Sequence, residues 1–198
     1  MAALRKTVPL ILLACLLAPA VHAADPVSID RSTIYYDIGG NTVPAITSSI
    51  LNSMPPQTAS FVGMTAFTFS WNYRYAPATD AAGRTDCRIT DARVAIEIVT
   101  YMPRHRSIRQ APDAIRDQWK DYSVALKRHE TRHADDFIAI GSQIPAAITA
   151  VHTPDCSTIQ AAANAVGQAH VARAQAKGDA YDALTDHGMT DGAHWPGL

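Results

Sequence analysis

One apolar stripe constrains this chain more than anything else in it. Ile115, Trp119, Tyr122 and Leu126 recur at spacings of three and four, and the same register continues through His129, His133, Phe137 and Ile140. The spacing predicts one long helix with a single inward face, on which both histidines lie. Pro112 suits its first turn, and Asp113 beside it complements the positive end of the helix dipole. Gly141 and Pro145 mark where the helix bends or ends.

Ahead of the helix the period changes to two. Thr65 to Tyr73 alternates polar with large apolar side chains, which is the pattern of a half-buried strand. Cys87 to Tyr101 alternates again through Ile89, Val94, Ile96 and Ile98, and Pro103 closes it. Ser32 to Tyr36 reads as a strand leading to a turn at Gly39-Gly40. Val43 to Asn52 reads as a short helix ended by Met54-Pro55-Pro56, and Pro77 to Gly83 as a loop. A last helix, rich in Ala and Gln, is expected from Ser157 to about Leu184, followed by a loop-like tail from Met189 to Leu198. The expected fold is α+β: a small antiparallel sheet, then a long helix, then a C-terminal helix, in one domain over 24–198.

The stripe carries the motif His129-Glu130-Thr131-Arg132-His133. Histidines four residues apart on a helix lie one turn apart on one face, the separation at which two imidazoles hold one zinc ion. Glu130 projects to the edge of that face, where a carboxylate can take a proton from water and pass it to a leaving amine. The motif therefore points to zinc-dependent hydrolysis of peptide bonds. Glu97 and Glu130 are the only glutamates in the chain, and one of them stands between the paired histidines. A solvated helix face would not carry an apolar stripe through both histidine positions. Thr131 and Arg132 carry no information.

Catalytic zinc usually has three protein ligands and a water. The metzincin pattern needs glycine and histidine where this chain has Asp136 and Ala139. A thermolysin-like site needs a later glutamate, and none follows Glu130. The third ligand is thus an aspartate or a histidine. Candidates converge at Tyr181-Asp182-Ala183-Leu184-Thr185-Asp186-His187-Gly188.

With the strand segments, Cys87, Cys156, the Trp119 to Leu126 lead-in and the His-Glu-x-x-His motif, this Tyr-Asp-x-x-Thr-x-His-Gly ending resembles the bacterial predicted secreted zinc-dependent proteases, catalogued as domain of unknown function nine-two-two. The resemblance covers nearly all of the mature chain. It implies peptidase activity and a zinc cofactor, and says little about the substrate. His187, past a helix end where the backbone can turn, is the expected third ligand. Asp182 is the alternative, either as ligand or as a carboxylate that orients a ligating histidine. Tyr181 is a candidate donor to the developing oxyanion. His152, His170 and His194 read as surface or packing histidines, and Trp71, Trp119 and Phe137 as core.

The first residues bear on location. Arg5 and Lys6 precede an apolar run from Val8 to Leu17, and Val21-His22-Ala23 offers small residues for cleavage after Ala23, so 1–23 is expected to be a signal peptide. The run is too short to span a bilayer comfortably. Leu12-Leu13-Ala14-Cys15 is the competing lipoprotein reading. Cleavage after Ala23 takes Lys plus Arg from 17 to 15 against 18 acidic residues and moves the net charge from -1 to -3, which argues against nucleic acid as a partner. The short cluster Arg104-His105-Arg106 reads as a solvated face. The two cysteines left, Cys87 and Cys156, are an even pair in an exported chain and predict one disulfide. The expected setting is periplasmic or secreted, with a peptide or protein substrate and no membrane span. Two other readings remain: a non-catalytic zinc-stabilised binding protein, and an amidase acting on cell-wall peptides. The sequence leaves the oligomeric state open.

Overall fold

A computed structural model describes residues 25–58 and 61–198, so the expected signal peptide and Cys15 lie outside the described residues. The elements are β1 (Val27–Ile38), α1 (Val43–Ser53), β2 (Met64–Thr79), β3 (Thr85–His105), α2 (Asp113–Gly141), α3 (Ile144–Thr149), β4 (His152–Thr153) and α4 (Ile159–Thr185). The fold is α+β, with a small mixed sheet ordered β1-β3-β2 and the short β4 paired to β3.

The expected sheet was antiparallel throughout, and here the structure differs. β2 and β3 form an antiparallel hairpin, but β1 runs parallel to β3, in register from Val27 against Val94 to Ile38 against His105. The cause lies after β1. Gly39-Gly40 does not turn the chain into a hairpin; it leads into α1. Gly40 has φ +113°, and a Cβ there would come within 2.9 Å of the Ala45 backbone. The Thr42 hydroxyl then caps α1 by accepting from the Ala45 N–H at 3.3 Å. With α1 between β1 and β2, β3 takes the central place.

Two prolines sit inside strands that were expected to stop at them. Pro77 pairs with Cys87 on β2, an edge strand whose outer N–H side needs no ladder partner. Pro103 pairs with Tyr36, and β2 begins only opposite Tyr101, so β3 is itself an edge on that side by then. The turn from β2 to β3 is narrowed to 80–84. There the Asp80 carboxylate accepts from the backbone N–H groups of Ala82 and Arg84, both at 2.9 Å.

α2 runs 29 residues, about 43 Å at 1.5 Å per residue, and ends at Gly141. Its inward face meets two separate apolar clusters. Phe137 and Ala134 pack with Phe69, Ile96, Ile98, Ile144 and Ile148. Trp119, Tyr122 and Leu126 pack with Tyr36, Ile46, Ile50 and Trp195. His129, Glu130 and His133 fall on the stretch between the two clusters and are all buried. Cys87 and Cys156 are joined, with Cα atoms 5.1 Å apart, tying the start of β3 to the segment before α4. The tail is irregular as expected, yet Trp195 within it is only 1% exposed. His105 is also buried, not solvated. Its Nε2–H donates to the Gly40 carbonyl at 2.8 Å and its Nδ1 accepts from the Ser107 N–H. Among the described residues no helix is long and apolar enough to cross a membrane.

Candidate metal centre

α4 reaches the middle of α2 because its own packed face is nearly bare. Ala163, Gly167, Ala174 and Gly178 are buried along it, at spacings of four, seven and four. A Cβ on Gly178 would stand 3.2 Å from Phe137 Cζ and 3.7 Å from His133 Nδ1, so the glycine lets the two helices close up. One turn further on, the same face delivers Asp182.

Three side chains converge there. Asp182 Oδ1 lies 2.9 Å from His133 Nε2 and 3.1 Å from His129 Nε2, and the two Nε2 atoms are 3.1 Å apart. The imidazole rings stand nearly perpendicular, at 86°. A tetrahedral zinc with bonds of about 2.0–2.1 Å needs its ligand atoms roughly 3.3 Å apart, so two imidazoles and a carboxylate at these separations suit zinc in number, chemistry and spacing. Two ring nitrogens aimed at one another and at one carboxylate oxygen are also a poor set of hydrogen-bond partners, and a shared cation resolves them. Burial, and then His133, hold the His129 ring below the usual histidine range, which favours the neutral form a ligand needs.

Glu130 stands beside this cluster, 4% exposed. Its Oε2 accepts from the Thr65 hydroxyl at 2.8 Å, and a Cβ on Gly63 would meet its Oε1 at 2.6 Å. Burial pushes the Glu130 carboxyl up to about 7 against the opposing pull of the Thr65 hydrogen bond. A carboxyl so placed can both accept and release a proton near neutral pH. The cluster and Glu130 open into a cavity of about 870 Å³ whose walls include Phe61, Phe67, Phe137, Val171 and Trp195. No lysine or arginine lines it among the described residues.

Two other expected site residues adjoin the cluster without joining it. His187 lines the cavity but stays outside the group of three donors. It is about half exposed, its Nδ1 is 3.9 Å from Asp182 Oδ1, and its ring lies against Phe61 at 5.0 Å. The chain does turn sharply past α4, through three consecutive residues at positive φ, Asp186, His187 and Gly188. Gly188 is the one pressed on the site: a Cβ there would be 3.0 Å from His129 Cγ. Tyr181 stacks its ring on His129, with centroids 4.8 Å apart and planes 21° from parallel, but its hydroxyl donates to Asp191 Oδ2 at 2.8 Å and not into the cavity.

Thr65, Asp191 and the glycines at 63 and 178 are not marked by the sequence reading, and Gly188 is marked there only as the end of the C-terminal motif. Thr65 had a visible signal. It shares a strand face with Phe67, Phe69 and Trp71, and a lone hydroxyl in an apolar row needs a buried partner. Gly167 and Gly178 in register with Ala163 and Ala174 likewise mark a closely packed helix face, with Gly167 against Trp71 of the sheet and Gly178 against α2. Nothing in the sequence pointed to Asp191.

No curated protein and no solved structure matches the chain. A family model described as "Bacterial protein of unknown function (DUF922)" matches residues 33–188, spanning the sheet, both long helices and the turn through Gly188, and the chain belongs to that family.

Proposed function

We propose that this protein is an exported zinc-dependent peptidase, with Glu130 as the proton-transferring carboxylate and His129, His133 and Asp182 as the metal ligands. The observation that carries the reading is a buried glutamate beside three converging donors on the wall of one large cavity. The distances favour Asp182 over His187 as the third ligand, reversing the order expected from the sequence.

Zinc held by these residues would supply the positive charge that acidifies water and polarises a substrate carbonyl. The chain's own groups do the rest. Glu130 takes a proton from the attacking water as its oxygen bonds to the peptide carbon. It then delivers that proton to the amide nitrogen as the C–N bond breaks. The Thr65 hydroxyl keeps the carboxyl aimed into the cavity. The apolar walls exclude water around the reacting bond and favour substrates with large apolar side chains near it. The disulfide and the expected signal peptide support an exported setting.

Glu130→Gln tests the reading. The variant should hold about one zinc per chain, as the parent does, and cleave a broad peptide library at least 10²-fold more slowly. A chelator should abolish parental cleavage. Zinc uptake with no cleavage by parent or variant would instead establish the non-catalytic binding protein. Cleavage confined to cell-wall peptides would establish the amidase.

A further inference from the structure

Among the described residues, His129 Nδ1 is the only fully buried side-chain nitrogen or oxygen without a hydrogen-bond partner. The His129 side chain is only 3% exposed, so water does not serve that atom. Nε2 faces His133 and Asp182. A neutral imidazole that gives its Nε2 lone pair to a cation carries its proton on Nδ1, and a buried N–H with no acceptor is costly. The site is therefore short of one acceptor on the far side of His129.

Asp191 is placed to be that acceptor. Its Oδ2 lies 4.0 Å from His129 Nδ1, about 1 Å beyond an ordinary N–H···O hydrogen bond. Asp191 is held at three points, one on its carboxylate and two on its backbone. The Tyr181 hydroxyl donates to Oδ2 at 2.8 Å, the Asp191 N–H donates to the Gly188 carbonyl at 3.0 Å, and Arg128, next to His129 in sequence, donates to the Asp191 carbonyl. Tyr181 and Gly188 also both lie against the His129 ring. The C-terminal turn is thus a cap over the back of one histidine.

We propose that Asp191 is a positioning residue that accepts the Nδ1–H of His129 when the ring binds zinc, and that the hydroxyl of Tyr181 serves to hold Asp191. A carboxylate there fixes the tautomer that leaves Nε2 free and raises the basicity of the ring. The inference rests on zinc binding by His129 and is independent of what the site hydrolyses.

Zinc affinity of the mature chain, measured by competition with a chromophoric chelator, tests it together with ¹⁵N and ¹H spectra of the imidazoles. In the zinc-loaded parent, His129 should show a protonated, hydrogen-bonded Nδ1. Asp191→Ala should weaken zinc binding about ten- to a hundredfold and shift that resonance. Asp191→Asn, which keeps an acceptor oxygen, should recover most of the loss, and Tyr181→Phe should lose a smaller factor than Asp191→Ala. Zinc affinity of Asp191→Ala within twofold of the parent, or equal losses in the Ala and Asn variants, overturns the proposal. If Asp191→Ala does not fold, the parent spectrum decides, since an Nδ1 that is unprotonated or lacks a hydrogen bond overturns it as well. A parent that takes up no zinc overturns both the metal reading and this inference.

Discussion

The two ends of α2 rest on cores built in different ways. Under its C-terminal half the core is mainly aliphatic around Phe69 and Phe137, made of alternate residues of β2 and β3, of α3 and of small residues on α4, with Cys87 and Cys156 closing it. Under its N-terminal half the core is aromatic. Trp119 meets Trp195 at 5.6 Å and 77°, Tyr122 meets Trp195 at 5.7 Å, and α1 packs Ile46 and Ile50 beneath them. The first core is covalently tied, whereas the second depends on the last residues of the chain docking back. The candidate metal centre spans the seam, taking Glu130 support from β2 and Asp182 from α4. Part of its wall, Trp195, comes from the docked tail. Damage to the two cores should therefore differ in kind. Loss on the tied side should lower stability, and loss on the docked side should also disturb the site.

The largest effect is expected from Trp195→Ala. The side chain is fully buried, and its indole N–H donates to Thr47 Oγ1 at 3.0 Å. Removing it should cost about 3–5 kcal/mol in denaturant unfolding. Because Trp195 lines the cavity, the folded variant should also lose peptide cleavage in excess of its unfolded fraction. Retention of full cleavage by the folded fraction would show that the docked tail is only a structural cover.

Reducing the disulfide breaks the other side. Closing a loop with a sequence separation of 69 is worth about 4 kcal/mol in the chain-entropy model, and less if the reduced chain keeps residual structure. A Cys87→Ala, Cys156→Ala double variant should unfold at lower denaturant and bind zinc with parental affinity while folded. Weakened zinc binding in the folded state would mean that the tied core positions the site after all.

What the sequence made legible follows the same division. The tied core is built from local periodicity, so β2, β3 and α2 were readable from alternation and from the stripe, and the cysteine pair from its count. The inward burial of His129 and His133 followed from the same stripe. The docked core is built from contacts far apart in sequence. Trp195 reaches Trp119 only through tertiary packing, and the short tail from Met189 to Leu198 shows no period that would reveal it. β1 was readable as a strand but not in its direction, since parallel pairing depends on where α1 sends the chain. The ordering of His187 over Asp182 rests on imidazole being the commoner zinc ligand and on backbone freedom past the helix end. The small face of α4 instead brings Asp182 in from within the helix, and the freedom at 186–188 serves to press Gly188 against His129.

Gly188→Ala probes that last point and should have an intermediate effect. A left-handed backbone at φ +86° disfavours an L side chain by about 1–2 kcal/mol, and the added methyl would also sit 3.0 Å from His129 Cγ. The variant should lose about 2 kcal/mol of stability and bind zinc more weakly than the parent, because the ring must move. Gly192→Ala makes the control. Its φ of +93° carries similar strain, but its Cβ would meet only Ala125, at 3.6 Å, so zinc binding should hold. Equal zinc affinities in the two variants would detach the turn from the metal centre.

The smallest effect belongs to Thr65, where the sheet touches the chemistry. Its hydroxyl is within bonding distance of Glu130 Oε2 at 2.8 Å, the Glu130 carbonyl at 3.2 Å and the Thr100 hydroxyl at 3.2 Å. Thr65→Val keeps the shape of the side chain and removes only the hydroxyl. Net loss of one such hydrogen bond costs about 1 kcal/mol of stability. The rate should respond differently. Without Thr65, the Glu130 carboxyl keeps its burial and loses the donor that aims it, so cleavage should slow by more than the small stability loss accounts for. Zinc affinity should stay near parental, because Thr65 is not one of the three donors, and peptide binding should change little, because the valine keeps the shape that Thr65 gives the cavity wall. Measuring kcat and KM separately for Thr65→Val and the parent resolves the two contributions. A fall in kcat with KM unchanged places the sheet in the catalytic geometry. A rise in KM alone would reduce Thr65 to one wall of the cavity, leaving Glu130 positioned by α2 and its close contact with Gly63.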